Sequence, residues 1–198
     1  MEIRHKRIVL RDETEADIAD EIRWNTTETR WHDFDAPWEK EDDLRSFDAE
    51  VCRKKTLERI ASRTPDGMRK SFEICLADGR HIGSTGSYYI DGDCNFDDER
   101  RFSPPRHTIG IDICEPDCWG QGLGGEVYEA ICRYYFSLGD GELYTQTWSG
   151  NERLLRMAAR VGFEEFHRDV GMRQVRGGVY DRVTLRLSRD KFLAKYGE

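Results

Sequence analysis

Apolar residues recur along the chain with two periods, and the switches between them predict the order of elements. A period of two marks strands, and a period of three to four marks helices. Ile8, Val9 and Leu10 form the first apolar run, a strand over residues 7–11. Thr14 and Asp17 have the spacing of a capping box, which opens a helix over 15–24. Residues 25–38 follow neither period. Beyond them Leu44, Phe47, Val51, Leu57 and Ile60 read as the core face of one helix that starts near Glu39. The turn Pro65-Asp66-Gly67 ends it. Phe72, Ile74 and Leu76 then alternate along a strand over 71–77, and Asp78-Gly79 turns the chain into a second arm over 81–90.

Residues 91–106 are rich in Gly, Asp and Asn and contain Pro104-Pro105, which predicts an exposed loop. Ile109, Ile111 and Ile113 alternate on a strand over 107–114. Val127, Ile131, Tyr134 and Leu138 mark a helix over 122–138, stopped by Gly139. A strand over 142–148 leads to a helix that Asn151 begins and Gly162 stops. Two strands, 164–175 and 178–187, meet at Gly177-Gly178, and a short helix over 189–196 ends the chain. The order is α+β, with one strand–helix–strand unit in the middle. At 198 residues one core is the default, so a single domain over 1–198 is expected.

Composition narrows the class of partner. Hydrophobic residues make up 37% and charged residues 35%, so the surface is polar and the apolar positions are reserved for a core. No apolar run approaches the ~20 residues that cross a bilayer. The segment Met1-Glu2-Ile3-Arg4-His5-Lys6-Arg7 leads into only three apolar residues, unlike a secretory leader. A cytoplasmic protein without a membrane partner is expected. The net charge of −8 repels phosphate backbones, which argues against a nucleic-acid partner. Cys52, Cys75, Cys94, Cys114, Cys118 and Cys132 form no C-x-x-C pair, and the five histidines do not cluster with them. Six reduced thiols and no metal are expected.

The chemistry concentrates in a glycine-rich turn after the strand over 107–114. In Trp119-Gly120-Gln121-Gly122-Leu123-Gly124-Gly125 a strand runs into a turn that opens a helix. Glycines let backbone amides approach a ligand, and the first helical turn offers unpaired N–H donors at the positive end of the dipole. Together they suit a phosphate. The turn lacks the Lys-Ser or Lys-Thr of a Walker A loop. Gly120, Gly122 and Gly125 do satisfy G-x-G-x-x-G, so a nucleotide-binding oxidoreductase is one reading. A plain strand-to-helix connection is another.

Three segments together resemble a known family. Trp119 to Gly124 is similar to the pyrophosphate loop of the GNAT superfamily of N-acetyltransferases, [R/Q]-x-x-G-x-[G/A], with Trp119 where Arg or Gln usually stands. Asn151 followed by Val161-Gly162-Phe163 resembles the family's N-x(10)-G-F signature. Arg7 to Arg11 with Glu15-Ala16-Asp17-Ile18 is similar to the opening of the branch that acetylates ribosomal-protein N-termini. The resemblance implies a mostly antiparallel sheet of about seven strands with helices on both faces. It implies acetyl-CoA as cosubstrate and direct acetyl transfer to a primary amine, on a small cationic molecule or a peptide N-terminus. The cosubstrate would meet Trp119, Gly120, Gln121, Gly122, Leu123, Gly124, Gly125 and Asn151, with the pantetheine arm along Ile113 and Cys114. Such proteins often form homodimers, though no feature here marks an interface. Asn151 is equally suited to be a plain helix cap.

The amine must lose a proton to react. Asp112 and Glu115, near the strand exit, are the candidate bases. Asp112 could instead simply face solvent. Many family members carry a Tyr where this chain has Ala158, and the ribosomal branch a Ser where it has Leu154. Those departures leave the catalytic acid unassigned and open an alternative, an acyl-CoA-binding or regulatory module without turnover. Residues 25–38 supply Trp31, Asp33, Asp35 and Trp38, whose rings and carboxylates suit an ammonium group. Anchoring a loop to the core is the competing role for the tryptophans.

Overall fold

The computed structural model describes residues 1–97 and 99–197. Among these residues eight strands form one mostly antiparallel sheet, in the order β1-β2-β3-β4-β5-β6-β8-β7. The strands are β1 (Glu2–His5), β2 (Ile8–Arg11), β3 (Ser71–Leu76), β4 (His81–Ile90), β5 (Arg106–Ile113), β6 (Glu142–Trp148), β7 (Glu164–Val175) and β8 (Gly178–Ser188). Six α-helices accompany them: α1 (Ile18–Thr26), α2 (Lys40–Ser46), α3 (Ala49–Ser62), α4 (Leu123–Ser137), α5 (Glu152–Val161) and α6 (Arg189–Tyr196). The chain forms two compact units, residues 1–85 with 112–121 and residues 86–111 with 122–198.

In the first unit, Ile8 and Leu10 of β2, Ile18 of α1 and Phe72 and Ile74 of β3 are almost fully buried. The predicted capping box forms, with Asp17 Oδ2 accepting from the Thr14 amide at 2.7 Å. Strand β1 is additional to the predicted elements. Only Ile3 among its four residues is apolar, and every second residue is exposed, as suits an edge strand.

The helix expected from Glu39 is two helices. Asp48 caps α3 by accepting from the amides of Glu50 and Val51 at 2.8 and 2.9 Å. That break resets the helical phase. Cys52 and Thr56 turn inward, while Val51 and Leu57, expected in the core, are 47% and 37% exposed.

In the second unit, Val127, Tyr128 and Ile131 of α4, Leu143 of β6, Val183 and Leu187 of β8 and Phe192 of α6 are buried. The Tyr128 hydroxyl meets Thr145 Oγ1 at 2.7 Å, so the polar atom buried by the ring has a partner. Strand β6 pairs with β8 along its whole length, from Glu142↔Ser188 to Trp148↔Arg182. Its pairing with β5 is different. The two run parallel and meet at one register position, Thr108↔Tyr144. Among the described residues no further register pair joins the two strands.

Candidate active site

Successive residues of a strand direct their backbone groups to opposite edges. The Cys114 amide donates to the Ile82 carbonyl at 2.8 Å, so at this end of β5 the groups of Cys114 and Asp112 face β4. Gly83 permits the approach, since a Cβ there would lie 1.9 Å from the Asp112 carbonyl oxygen. The groups of Ile111 and Ile113 therefore face the other edge. The Ile113 carbonyl accepts from the Trp119 indole at 2.7 Å, which ties the start of the glycine turn to the strand.

Within the first unit lies a cavity of about 240 Å³. Trp24, Asn25 and Trp31 line it from α1 and the segment after it, Glu73 from β3, His81 and Thr85 from β4, and Asp112 and Cys114 from the end of β5. Its cations are held by the protein. His81 Nε2 sits 2.8 Å from Glu73, and Nδ1 sits 3.2 Å from Asp20 and 3.4 Å from Asp17. Burial alone would lower the His81 pKa, but the carboxylates of Glu73, Asp17 and Asp20 outweigh it and raise it. Burial also pushes the Glu73 carboxyl up, against the pull of His81. Arg59 donates to both oxygens of Glu13, at 2.6 and 3.2 Å.

Asp112 differs from these acids. Its carboxylate has no hydrogen-bond or ion-pair partner among the described residues. Burial, reinforced by the charge of Asp35, holds its carboxyl well above the usual carboxylate range. Asp35 keeps contact with solvent and also lacks a side-chain partner among the described residues. The protein around it and the charges of Glu39 and Asp43 push its carboxyl up to about 6. Two residues from separate sequence segments are thus brought within each other's field.

Glu115 is placed otherwise. It is buried and accepts from the Trp24 indole at 2.8 Å and from Arg80 at 3.2 Å, and it pairs with Arg23. Arg80 also grips Asp117 at 2.6 and 2.8 Å. This network braces the segment that precedes the glycine turn. Asp33 is paired with Lys40 at 2.9 Å, and the Trp38 indole donates to Glu39 at 2.9 Å. Of the four expected acceptor residues, Trp31 alone lines the cavity and Asp35 reaches it electrostatically.

The turn itself holds Gly120 at φ +74° and Gly122 at φ +83°, both left-handed, where a side chain is strained. A Cβ at Gly120 or Gly125 would meet nothing within 4 Å, so open space lies against this backbone. The Gln121 carbonyl accepts from Arg7 at 2.9 Å. Leu123 and Gly124 begin α4, and the Gly125 amide donates back to the Gly122 carbonyl at 3.1 Å. Asn151 is buried and caps α5, its Oδ1 accepting from the Leu154 amide at 3.1 Å. The Tyr144 hydroxyl donates to Glu142 at 2.6 Å, and its pKa is pushed up to about 12, first by burial and then by that acid.

Residues 7–164 match the acetyltransferase (GNAT) domain family. The chain belongs to that family. The fold agrees. RimL, a ribosomal alpha-N-protein acetyltransferase solved with coenzyme A, superimposes with a TM-score of 0.71 at 16% identity, over 96% of this chain and 99% of that one. Spermidine N-acetyltransferase from Vibrio cholerae, solved with CoA and spermine, gives 0.69 at 16% identity, over 94% and 98%. A putative acetyltransferase from Salmonella typhimurium, solved with acetyl-CoA, gives 0.63 at 16%, over 92% and 94%. No curated protein sequence matches the chain.

Sequence reasoning missed Glu73, His81, Glu13 and Arg59 as cavity residues. Glu73 carried a signal, as a charged residue flanked by Phe72 and Ile74 in a buried strand. Glu13 and Arg59 carried none, because their pairing joins positions far apart in the chain.

Proposed function

We propose that this chain is an acetyl-CoA-dependent N-acetyltransferase, with residues 1–198 working as one domain and a primary amine as acceptor. The observation that carries the reading is the single pairing of β5 with β6 at Thr108↔Tyr144. Beyond it the edge of β5 that faces away from β4 offers the backbone groups of Ile111 and the amide of Ile113, whose carbonyl already accepts from the Trp119 indole. An extended pantetheine arm with two amides can pair there as an added strand does. Cys114 contributes the side of the strand nearest the cavity. The open backbone of Gly120 and the first-turn amides of Leu123 and Gly124 suit the pyrophosphate, where the dipole of α4 adds its positive end. Trp119, Gln121, Gly122 and Gly125 set the shape of that turn. Asn151 holds the start of α5 and is the proposed contact from that helix.

The chemistry then needs a base and a polarised carbonyl. A primary amine of pKa near ~10 is mostly protonated at neutral pH. The ammonium first gives one proton to solvent, and Asp112, unpartnered on the cavity wall, takes the second as the neutral amine nitrogen bonds to the thioester carbon. The C–S bond breaks and the CoA sulfur leaves as thiolate. A β5 amide polarises the carbonyl oxygen through the transfer. Glu115, already engaged by Arg23, Arg80 and Trp24, acts by holding the segment in place. Trp31 and Asp35 face the acceptor, while Asp33 and Trp38 order the segment that carries them.

Calorimetric titration with acetyl-CoA, with NADH as control, tests the cosubstrate. Gly124→Glu adds bulk and negative charge where the pyrophosphate binds, and it should weaken acetyl-CoA binding at least tenfold while circular dichroism stays unchanged. Unchanged affinity refutes the site.

A further inference from the structure

Residues 25–38 join α1 to α2 with only one short turn of helix, Arg30–Asp33, so side chains hold them in place. The Trp31 indole donates to the Trp24 carbonyl at 2.9 Å, and His32 Nε2 lies 3.2 Å from the Asn25 side-chain oxygen. Phe34 reaches further. Its ring and the Trp119 ring meet edge to face, with centroids 5.2 Å apart and planes at 80°. Trp119 is itself fixed from two sides. Its indole donates to the Ile113 carbonyl at 2.7 Å and its amide to the Pro116 carbonyl at 3.2 Å. The next residue is Gly120, whose left-handed backbone lies against open space. Trp24 makes a second connection between the same two places. It lines the cavity, and its indole donates at 2.8 Å to Glu115, whose carbonyl accepts from the Cys118 amide at 3.0 Å.

We propose that Phe34 is a positioning residue through which cosubstrate bound at the glycine turn fixes residues 25–38, and with them Asn25 and Trp31 of the cavity wall. This rests on the acetyltransferase reading and adds a coupling to it. A phosphate seated on the Gly120 backbone fixes the peptide between residues 119 and 120. Trp119, whose side chain begins beside that peptide, then loses the freedom to move away from Phe34. Phe34 follows Trp31 by three positions, so the restraint passes into the wall. The route depends on a ring at position 119, because an Arg or Gln there offers no ring for Phe34 to meet. The coupling is reciprocal, so a filled cavity tightens cosubstrate binding by the same factor.

The test follows backbone hydrogen exchange by mass spectrometry in the full chain, with and without saturating CoA. CoA should slow exchange over residues 25–38 about fivefold, besides slowing it over residues 115–121. In Phe34→Ala the slowing over 25–38 should vanish while that over 115–121 remains, and Phe34→Tyr should restore it. A merely structural role for Phe34 would raise exchange equally with and without CoA and leave the difference between them unchanged. Calorimetric binding of CoA with no slowing over 25–38 in the unmodified chain overturns the inference, and so does slowing that survives Phe34→Ala. Phe34→Leu, which keeps the apolar volume and removes the ring, takes the place of Phe34→Ala if that variant does not fold. Absence of CoA binding itself removes the acetyltransferase reading, and the proposal with it.

Discussion

Asp112 carries a carboxyl that burial and the charge of Asp35 both hold away from ionisation. A base with a raised pKa is a better match for an amine proton at neutral pH than an ordinary carboxylate. The sign of the pH dependence follows. Below its raised pKa Asp112 is protonated and accepts nothing; as pH climbs through that value the carboxylate appears and the rate rises. Asp112→Asn should lower kcat by roughly 10²–10⁴ and leave the KM for acetyl-CoA within about twofold. It should also erase the acidic limb of the kcat profile attributed to this group. A profile that keeps the same limb in Asp112→Asn would assign the base elsewhere. Glu115 shows why proximity alone does not nominate a base. Its oxygens already accept from Trp24 and two arginines, and removing it would loosen the segment before the glycine turn.

Helix α3 depends on a side chain whose role is local. Asp48 supplies acceptors to two amides that otherwise have none, and the break it marks separates α2 from α3. Asp48→Ala should cost about 1 kcal/mol, read as a lowered urea midpoint at unchanged slope. A midpoint that does not move would show that tertiary contacts alone set where α3 begins. The same helix shows what was hidden in the sequence. Leu44, Phe47 and Val51 keep an apolar rhythm across the break, so periodicity reads one helix where a cap makes two. Strand β1 was hidden for the opposite reason, since its single apolar residue gives alternation nothing to mark. Strand β5, helix α4 and the glycine turn were legible because apolar period and glycine positions agree there. The cavity was only half legible. Asp112 and Trp31 stood out by local context, whereas Glu13–Arg59 and Glu73–His81 exist only once distant segments meet.

At the scale of the molecule the relevant quantity is the net charge of −8. A field of that sign draws cations and repels anions, and salt weakens both effects as the Debye length shrinks. The two proposed substrates carry opposite charge, so ionic strength should move them in opposite directions. In the proposed reaction the acceptor amine approaches two carboxylates, Asp112 and Asp35, that hold no partner of their own among the described residues. Its KM should therefore rise several-fold between about 20 and 200 mM salt, where the Debye length falls from roughly 20 Å to under 8 Å. In the proposed complex acetyl-CoA, an anion, is held through backbone amides and a helix dipole, with no basic side chain required at the glycine turn. Its KM should stay level or fall over the same range, because salt relieves the general repulsion and removes no paired charge. Steady-state rates with each substrate varied in turn at four salt concentrations give both slopes. Parallel slopes would mean that basic side chains hold the cosubstrate, and the glycine turn would lose its place as the main phosphate contact. A flat response for the amine would mean that its recognition is not carried by the unpaired acids.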